Sequence, residues 1–138
     1  MKKISIISMI LFLSIVSAVV YGQDNYQLST HVLNIAAGGN GEGVKVELFK
    51  LDPKNNNWTK VDEKTTDARG RITDFLANQR GGNKGVYKLV FHTKSYFEKN
   101  RTKTFYPFIE VAFEITDDAH YHVPITLSPY GFSTYRGS

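Results

Sequence analysis

Apolar and polar residues alternate along most of this chain, at the spacing of extended strands with one face turned inward. The clearest run is Phe108 to Ile115, where Ile109, Val111, Phe113 and Ile115 alternate with Glu110, Ala112 and Glu114. The last run, Tyr121 to Ser128, puts Tyr121, Val123, Ile125 and Leu127 on one face and His122, Pro124, Thr126 and Ser128 on the other. Proline lacks the N–H that a ladder needs, so Pro124 marks either an edge strand or a bulge. Tyr26 to Leu33 sorts Leu28, Thr30 and Val32 from Gln27, Ser29 and His31. Gly43 to Leu51 alternates Val44, Val46 and Leu48 with Lys45 and Glu47, and Val86 to His92 turns Tyr87, Leu89 and Phe91 inward. Trp58 to Thr66 is more polar and is expected to be exposed on one side; Arg71 to Phe75 is a short strand.

Glycine-, asparagine- and aspartate-rich pieces separate these runs: Asn34 to Gly43, Asp52 to Asn57, Asp67 to Gly70, Asn78 to Gly85 and Asp117-Asp118. Only Thr93 to Asn100 reads as a helix, of about two turns, which Thr93 or Ser95 can cap. After Ser128 the chain turns at Pro129-Tyr130-Gly131 and finishes on a short tail, Tyr135 to Ser138. Seven or eight short strands with one small helix, and no internal repeat, predict an all-β two-sheet sandwich.

The first residues stand apart from this pattern. Met1-Lys2-Lys3 leads into an apolar run from Ile4 to Val20, with small residues before Gln23. Those are the parts of a secretory signal peptide, cut after Gly22, rather than of a retained membrane anchor. The expected mature domain, 23–138, is therefore periplasmic or secreted and free of the membrane. Its 116 residues suffice for one domain with one core. Removal of Lys2 and Lys3 leaves fifteen basic against thirteen acidic side chains, a balance that argues against nucleic acid as a partner. There is no cysteine, so stability must come from packing, helped by association with other copies. The four histidines fit neither a cysteine-type zinc site nor an HExxH pattern.

Candidate chemistry gathers on the polar faces. His120 and His122 share one face of the last strand, about 6 to 7 Å apart at two strand rises. His31 lies on the polar face of the first strand. The terminal residues carry an unusual density of side chains that donate, accept or hold charge, where a free end is normally frayed.

Three stretches together carry a resemblance: Ser29-Thr30-His31-Val32-Leu33, Thr66-Asp67-Ala68-Arg69-Gly70-Arg71, and the terminal run from His120 to Ser138 ending in Tyr135-Arg136-Gly137-Ser138. They resemble the 5-hydroxyisourate hydrolases, transthyretin-like enzymes of urate breakdown, over nearly the whole mature chain. Tyr106-Pro107-Phe108 before a long alternating strand is similar to that family too. The terminal YRGS is the most specific part, because hormone-carrying transthyretins share the fold but lack this tail and these histidines. The resemblance implies an eight-stranded prealbumin sandwich with one short helix, assembled as a homotetramer with active sites in a channel at the dimer–dimer interface. It implies hydrolytic opening of the six-membered ring of 5-hydroxyisourate to 2-oxo-4-hydroxy-4-carboxy-5-ureidoimidazoline, without metal or organic cofactor. His31, Arg71, His122 and Tyr135 match the family's site residues. Asn34 stands where an aspartate is common, Glu42-Gly43-Val44 replaces a small-Pro-Ala step, and Asp67-Ala68-Arg69 precedes Gly70 in place of a directly adjacent acid.

The chemistry suits these residue types. A neutral imidazole, with a reference pKa of about 6.5, can take a proton from water near neutral pH. His122 is expected to be that base, with His31 positioning water or substrate. Arg71 offers a permanent charge and a planar fork for the anionic substrate and the developing oxyanion, and depresses the pKa of an imidazole beside it. Tyr135 is expected to hydrogen-bond a substrate carbonyl. Arg136 and the Ser138 carboxylate are expected to hold the tail by ion pairing, Ser133 and Thr134 to line the channel, and His120 to support His122. His92 has no assigned role. Two rival readings share much of this pattern: a non-catalytic transthyretin-like carrier of a small ligand, and an exported monomeric immunoglobulin-like interaction module.

Overall fold

The computed structural model describes residues 25–138; the expected signal segment, 1–22, lies outside the described residues. In chain order the elements are β1 (Tyr26–Asn34), β2 (Gly39–Asn40), β3 (Lys45–Asp52), β4 (Asn57–Thr65), β5 (Arg71–Ala77) and β6 (Gly85–Phe91). A single short helix, α1 (Thr93–Lys99), precedes β7 (Ile109–Ile115), β8 (Tyr121–His122), β9 (Ile125–Ser128) and β10 (Gly131–Thr134). One sheet is ordered β4-β3-β6-β7 and is antiparallel throughout. The other is built on β1, which pairs with β2 and β5 antiparallel and with β8 and β9 in parallel, β10 then pairing outside β9. The expected two-sheet β-sandwich with one small helix is what the chain forms.

The alternation explains the core. Leu28 and Val32 of β1, Val46 and Leu48 of β3, Leu89 and Phe91 of β6, Ile109 and Ile115 of β7, and Ile125 and Leu127 of β9 meet between the sheets as one cluster. Tyr121 and Val123 join it, so the C-terminal run is anchored by four inward side chains. Burial of each such side chain contributes about 1.5–3 kcal/mol, enough to offset the entropy of ordering a chain end.

Several elements differ from the sequence pattern. The expected single strand from Tyr121 to Ser128 is interrupted at Val123-Pro124 into β8 and β9. Neither piece is a free edge, because β10 covers β9 and Gly137 bridges to His122. Pro124 thus marks a break, made where no N–H is available. Between the expected turn and the Tyr135–Ser138 tail the chain adds β10, and Gly39–Asn40 adds a two-residue strand inside the expected loop. The N-terminus of α1 follows His92 without a side-chain cap: Thr93 Oγ1 donates to the Tyr106 carbonyl and Ser95 Oγ to that of His92. β4 is an outer strand whose positions are exposed or half-buried along its whole length, beyond the one-sided exposure expected.

One irregularity decides where the site can be. In β1–β5 pairing, Leu28 faces Phe75, but Thr30 faces Ile72 and His31 faces Arg71, so β5 carries one extra residue opposite Ser29. Strict alternation would place Arg71 on the face of Phe75, in the core. The bulge re-aims it onto the face of His31. The turn before it is equally constrained. Asp67 Oδ1 accepts the N–H groups of Arg69 and Arg71, and these bonds, that of Arg71 first, hold its carboxyl below the usual range. Gly70 sits at φ +72°, and a Cβ there would fall 2.4 Å from the Val32 carbonyl oxygen. We expect Gly70→Ala to lower stability by about 1–3 kcal/mol or more in urea denaturation; an unchanged midpoint would contradict this geometry.

Candidate active site

An open cleft at one end of the β1 sheet is lined by Ser29, Arg71, His120, His122, Tyr135, Gly137 and Ser138. Residues that are far apart in sequence meet there because β1 sits between β5 and β8. Ser29 is the register partner of His122, and His31, two positions on, is that of Arg71. Two strand rises correspond to about 6–7 Å, so the ladder sets His31 two residues along from the partner of His122 and directly beside Arg71, although His31 itself is not among the residues that line the cleft.

The polar face of β1 is not a solvated face. Gln27 and Ser29 are buried beneath the segment 117–122: the Gln27 side-chain amide donates to the carbonyls of Asp117 and Ala119, and its oxygen accepts from Asn83. Ser29 Oγ lies 2.8 Å from His120 Nε2 and 2.8 Å from His122 Nδ1. His120 Nδ1 in turn lies 3.0 Å from the Tyr26 carbonyl oxygen. His120 and His122 thus meet on a single hydroxyl, that of Ser29, a residue the sequence did not single out. Its parity with His31 was the available signal.

The tail closes over His122. The Gly137 N–H donates to the His122 carbonyl at 2.8 Å, and a Cβ on Gly137 would lie 2.5 Å from His122 Cδ2. Glycine is required for the backbone to cross the imidazole so closely. Arg136 stacks its guanidinium 4.7 Å from the centre of the Tyr121 ring. Among the described residues neither Arg136 nor the terminal carboxylate makes an ion pair, so the expected electrostatic tether is replaced by a cation–π contact and a backbone bridge. Tyr135 is largely exposed at the cleft rim. Ser133 lies away from this cleft, its hydroxyl 2.6 Å from Thr126 Oγ1, and Thr134 donates to the Pro124 carbonyl.

Burial under the tail disfavours the charged form of His122 and, as the largest cause, depresses its pKa below the ordinary 6.5. The Arg71 charge, and the neighbouring imidazoles of His31 and His120, act in the same direction, against an opposing hydrogen bond with the Ser29 backbone. Among the described residues no carboxylate pairs with Arg71, so its fork remains available to an anion. His31 Nε2 is buried with no hydrogen-bond partner, an unusual cost for a polar atom. His92, outside the cleft, pairs with Glu47 at 2.5 Å on the other sheet. Asn34 also points away, bonding Ala37 N–H and the Tyr96 hydroxyl. Among the described residues no cluster of His, Cys, Asp or Glu has the arrangement of a metal site.

A permanently charged fork beside a half-buried imidazole whose pKa is lowered can bind a planar anion and, when the imidazole is neutral, take a proton from water. The HIUase/Transthyretin family model matches residues 28–137. The chain belongs to the HIUase/Transthyretin family. The chain is 39% identical over 139 residues to a 5-hydroxyisourate hydrolase of Salmonella typhimurium, covering 100% of both. It is 38% identical over 138 residues to a probable 5-hydroxyisourate hydrolase of Caenorhabditis elegans, covering 96% of this chain and 99% of the relative. Among solved structures, it is similar to the 5-hydroxyisourate hydrolase of Klebsiella pneumoniae, with a TM-score of 0.69 at 33% identity over 80% of this chain and 92% of that one. Sea bream transthyretin in complex with thyroxine matches with a TM-score of 0.74 at 26% identity, over 80% and 94%. The sandwich is thus transthyretin-like, a fold common to hydrolase and hormone-binding members, and the side chains in the cleft must separate the two activities.

Proposed function

We propose that this chain hydrolyses 5-hydroxyisourate to 2-oxo-4-hydroxy-4-carboxy-5-ureidoimidazoline, a step in the breakdown of urate. One water is consumed: its oxygen attacks the ring acyl carbon, the acyl C–N bond breaks, and the ring nitrogen leaves with a proton. His122 takes the proton from water. Arg71 holds the substrate anion and stabilises the tetrahedral oxyanion as it forms, His31 orients water or substrate, and Tyr135 hydrogen-bonds a substrate carbonyl. The observation that carries this reading is the half-buried imidazole of His122, its pKa lowered by desolvation, in the same cleft as an arginine that has no carboxylate partner among the described residues. The hydrolase relatives support the choice of substrate.

We also propose that four copies assemble and complete the sites where dimers meet. The solitary buried nitrogen of His31 and the exposed rings of Phe105, Phe108, Tyr130 and Phe132 support association. Sedimentation of the mature chain is expected to give a tetramer; a monomer would contradict it and favour an isolated interaction module. Export with loss of residues 1–22 completes the proposal, and N-terminal sequencing of secreted material should begin at Gln23.

The pH profile tests the mechanism. Since His122 works in its neutral form and its pKa is depressed, kcat/KM should be level near neutral pH. It should fall only as pH drops below 6.5, when protonation removes the lone pair. A flat profile from pH 5 to 8 would exclude His122 as base.

A further inference from the structure

We infer that Ser29 and His120 are positioning residues that fix which ring nitrogen of His122 carries its hydrogen; the inference deepens the proposed role of His122 as base and its mechanistic importance rests on that reading. The argument begins at an atom with no choice. The Tyr26 carbonyl oxygen can only accept, so His120 Nδ1, 3.0 Å away, must carry a hydrogen. In neutral His120 the other nitrogen, Nε2, is then a bare lone pair, and it faces Ser29 Oγ at 2.8 Å. Serine has one hydroxyl hydrogen, and it is committed to His120. Ser29 Oγ can therefore meet His122 Nδ1, also 2.8 Å away, only as an acceptor. His122 must hold its hydrogen on Nδ1, which leaves Nε2 as the lone pair.

The direction matters because free imidazole prefers to carry its hydrogen on Nε2, the form with no lone pair to offer at that atom. Among the described residues His122 Nε2 makes no hydrogen bond, while the ring lines the open cleft beside Arg71 and Tyr135. The backbone of β1 thus sets the base from a distance, through one imidazole and one hydroxyl. Burial sharpens the preference: Ser29 is 8% exposed, so water competes poorly for its hydroxyl. A serine that only filled space would impose no such direction.

Nitrogen-15 NMR of chain labelled at histidine reads the tautomer directly, at a pH where His120 and His122 are both neutral. The wild-type chain is expected to show His122 with a protonated Nδ1 and a bare Nε2. Ser29→Ala should shift that signal toward the Nε2–H form and lower kcat for 5-hydroxyisourate at least about tenfold, with KM changed much less. Ser29→Thr, which keeps a hydroxyl, should restore both. A wild-type His122 carrying its hydrogen on Nε2 would overturn the inference, as would an unaltered Nδ1–H signal in folded Ser29→Ala. Because the spectrum needs no substrate, the two proposals fail separately. A chain with the expected tautomer but no hydrolysis supports the positioning role and refutes the activity.

Discussion

His122→Ala is expected to lower kcat/KM for 5-hydroxyisourate by about 10²- to 10⁴-fold, the usual worth of a positioned base. The fold should survive. The substitution keeps the backbone carbonyl that accepts from Gly137, and it removes a side chain that is half-buried at a cleft wall rather than packed in the core. Losing the bond to Ser29 should cost only about 1 kcal/mol of stability. Circular dichroism and thermal melting would check the fold beside the kinetics. A folded variant with wild-type kcat/KM would remove His122 from the mechanism; one that fails to fold would assign the residue to structure.

Arg71→Met should act almost as strongly, by about 10²- to 10³-fold, through loss of charge where the oxyanion forms. Arg71 has no carboxylate partner among the described residues, so its removal strands no buried acid and should leave stability nearly unchanged. The decrease should fall on kcat as well as KM, because the developing oxyanion exists only in the transition state. Arg71→Lys is expected to recover only part of the activity, since an ammonium supplies the charge without the planar fork. Full activity in the lysine variant, or an effect confined to KM, would reduce Arg71 to a binding charge.

Much of the sandwich was legible because alternation is a direct record of a strand's two faces. In the inward set of β7, Ile109, Val111 and Ile115 are buried and Phe113 is half-buried against them, and the series Tyr121, Val123, Ile125, Leu127 that parity picks out is buried throughout. β10 left no such record. Its side chains are mostly exposed, and it is a strand only because its backbone pairs with β9. The two-residue β2 is likewise defined by its partner rather than by its composition.

The candidate site was legible by a different route. His31, Arg71, His122 and Tyr135 emerged from a resemblance, since parity alone gives no reason for Arg71 to stand beside His31. That adjacency depends on the extra residue in β5, a feature of pairing rather than of either strand's sequence. Ser29 and Gln27 looked like solvated polar positions because the segment that covers them arrives from 90 residues away. Gly137 had no role of its own within the terminal run. Its function in the fold is steric, and it becomes visible only when the His122 ring lies against it.

The most direct test of the central claim is to follow freshly formed 5-hydroxyisourate by its absorbance, with and without the purified 23–138 chain. Its decay should accelerate in proportion to protein concentration and return nearly to the spontaneous rate with His122→Ala. Decay no faster than in buffer, from a folded and correctly assembled protein, would contradict a hydrolytic site and leave a binding protein in its place.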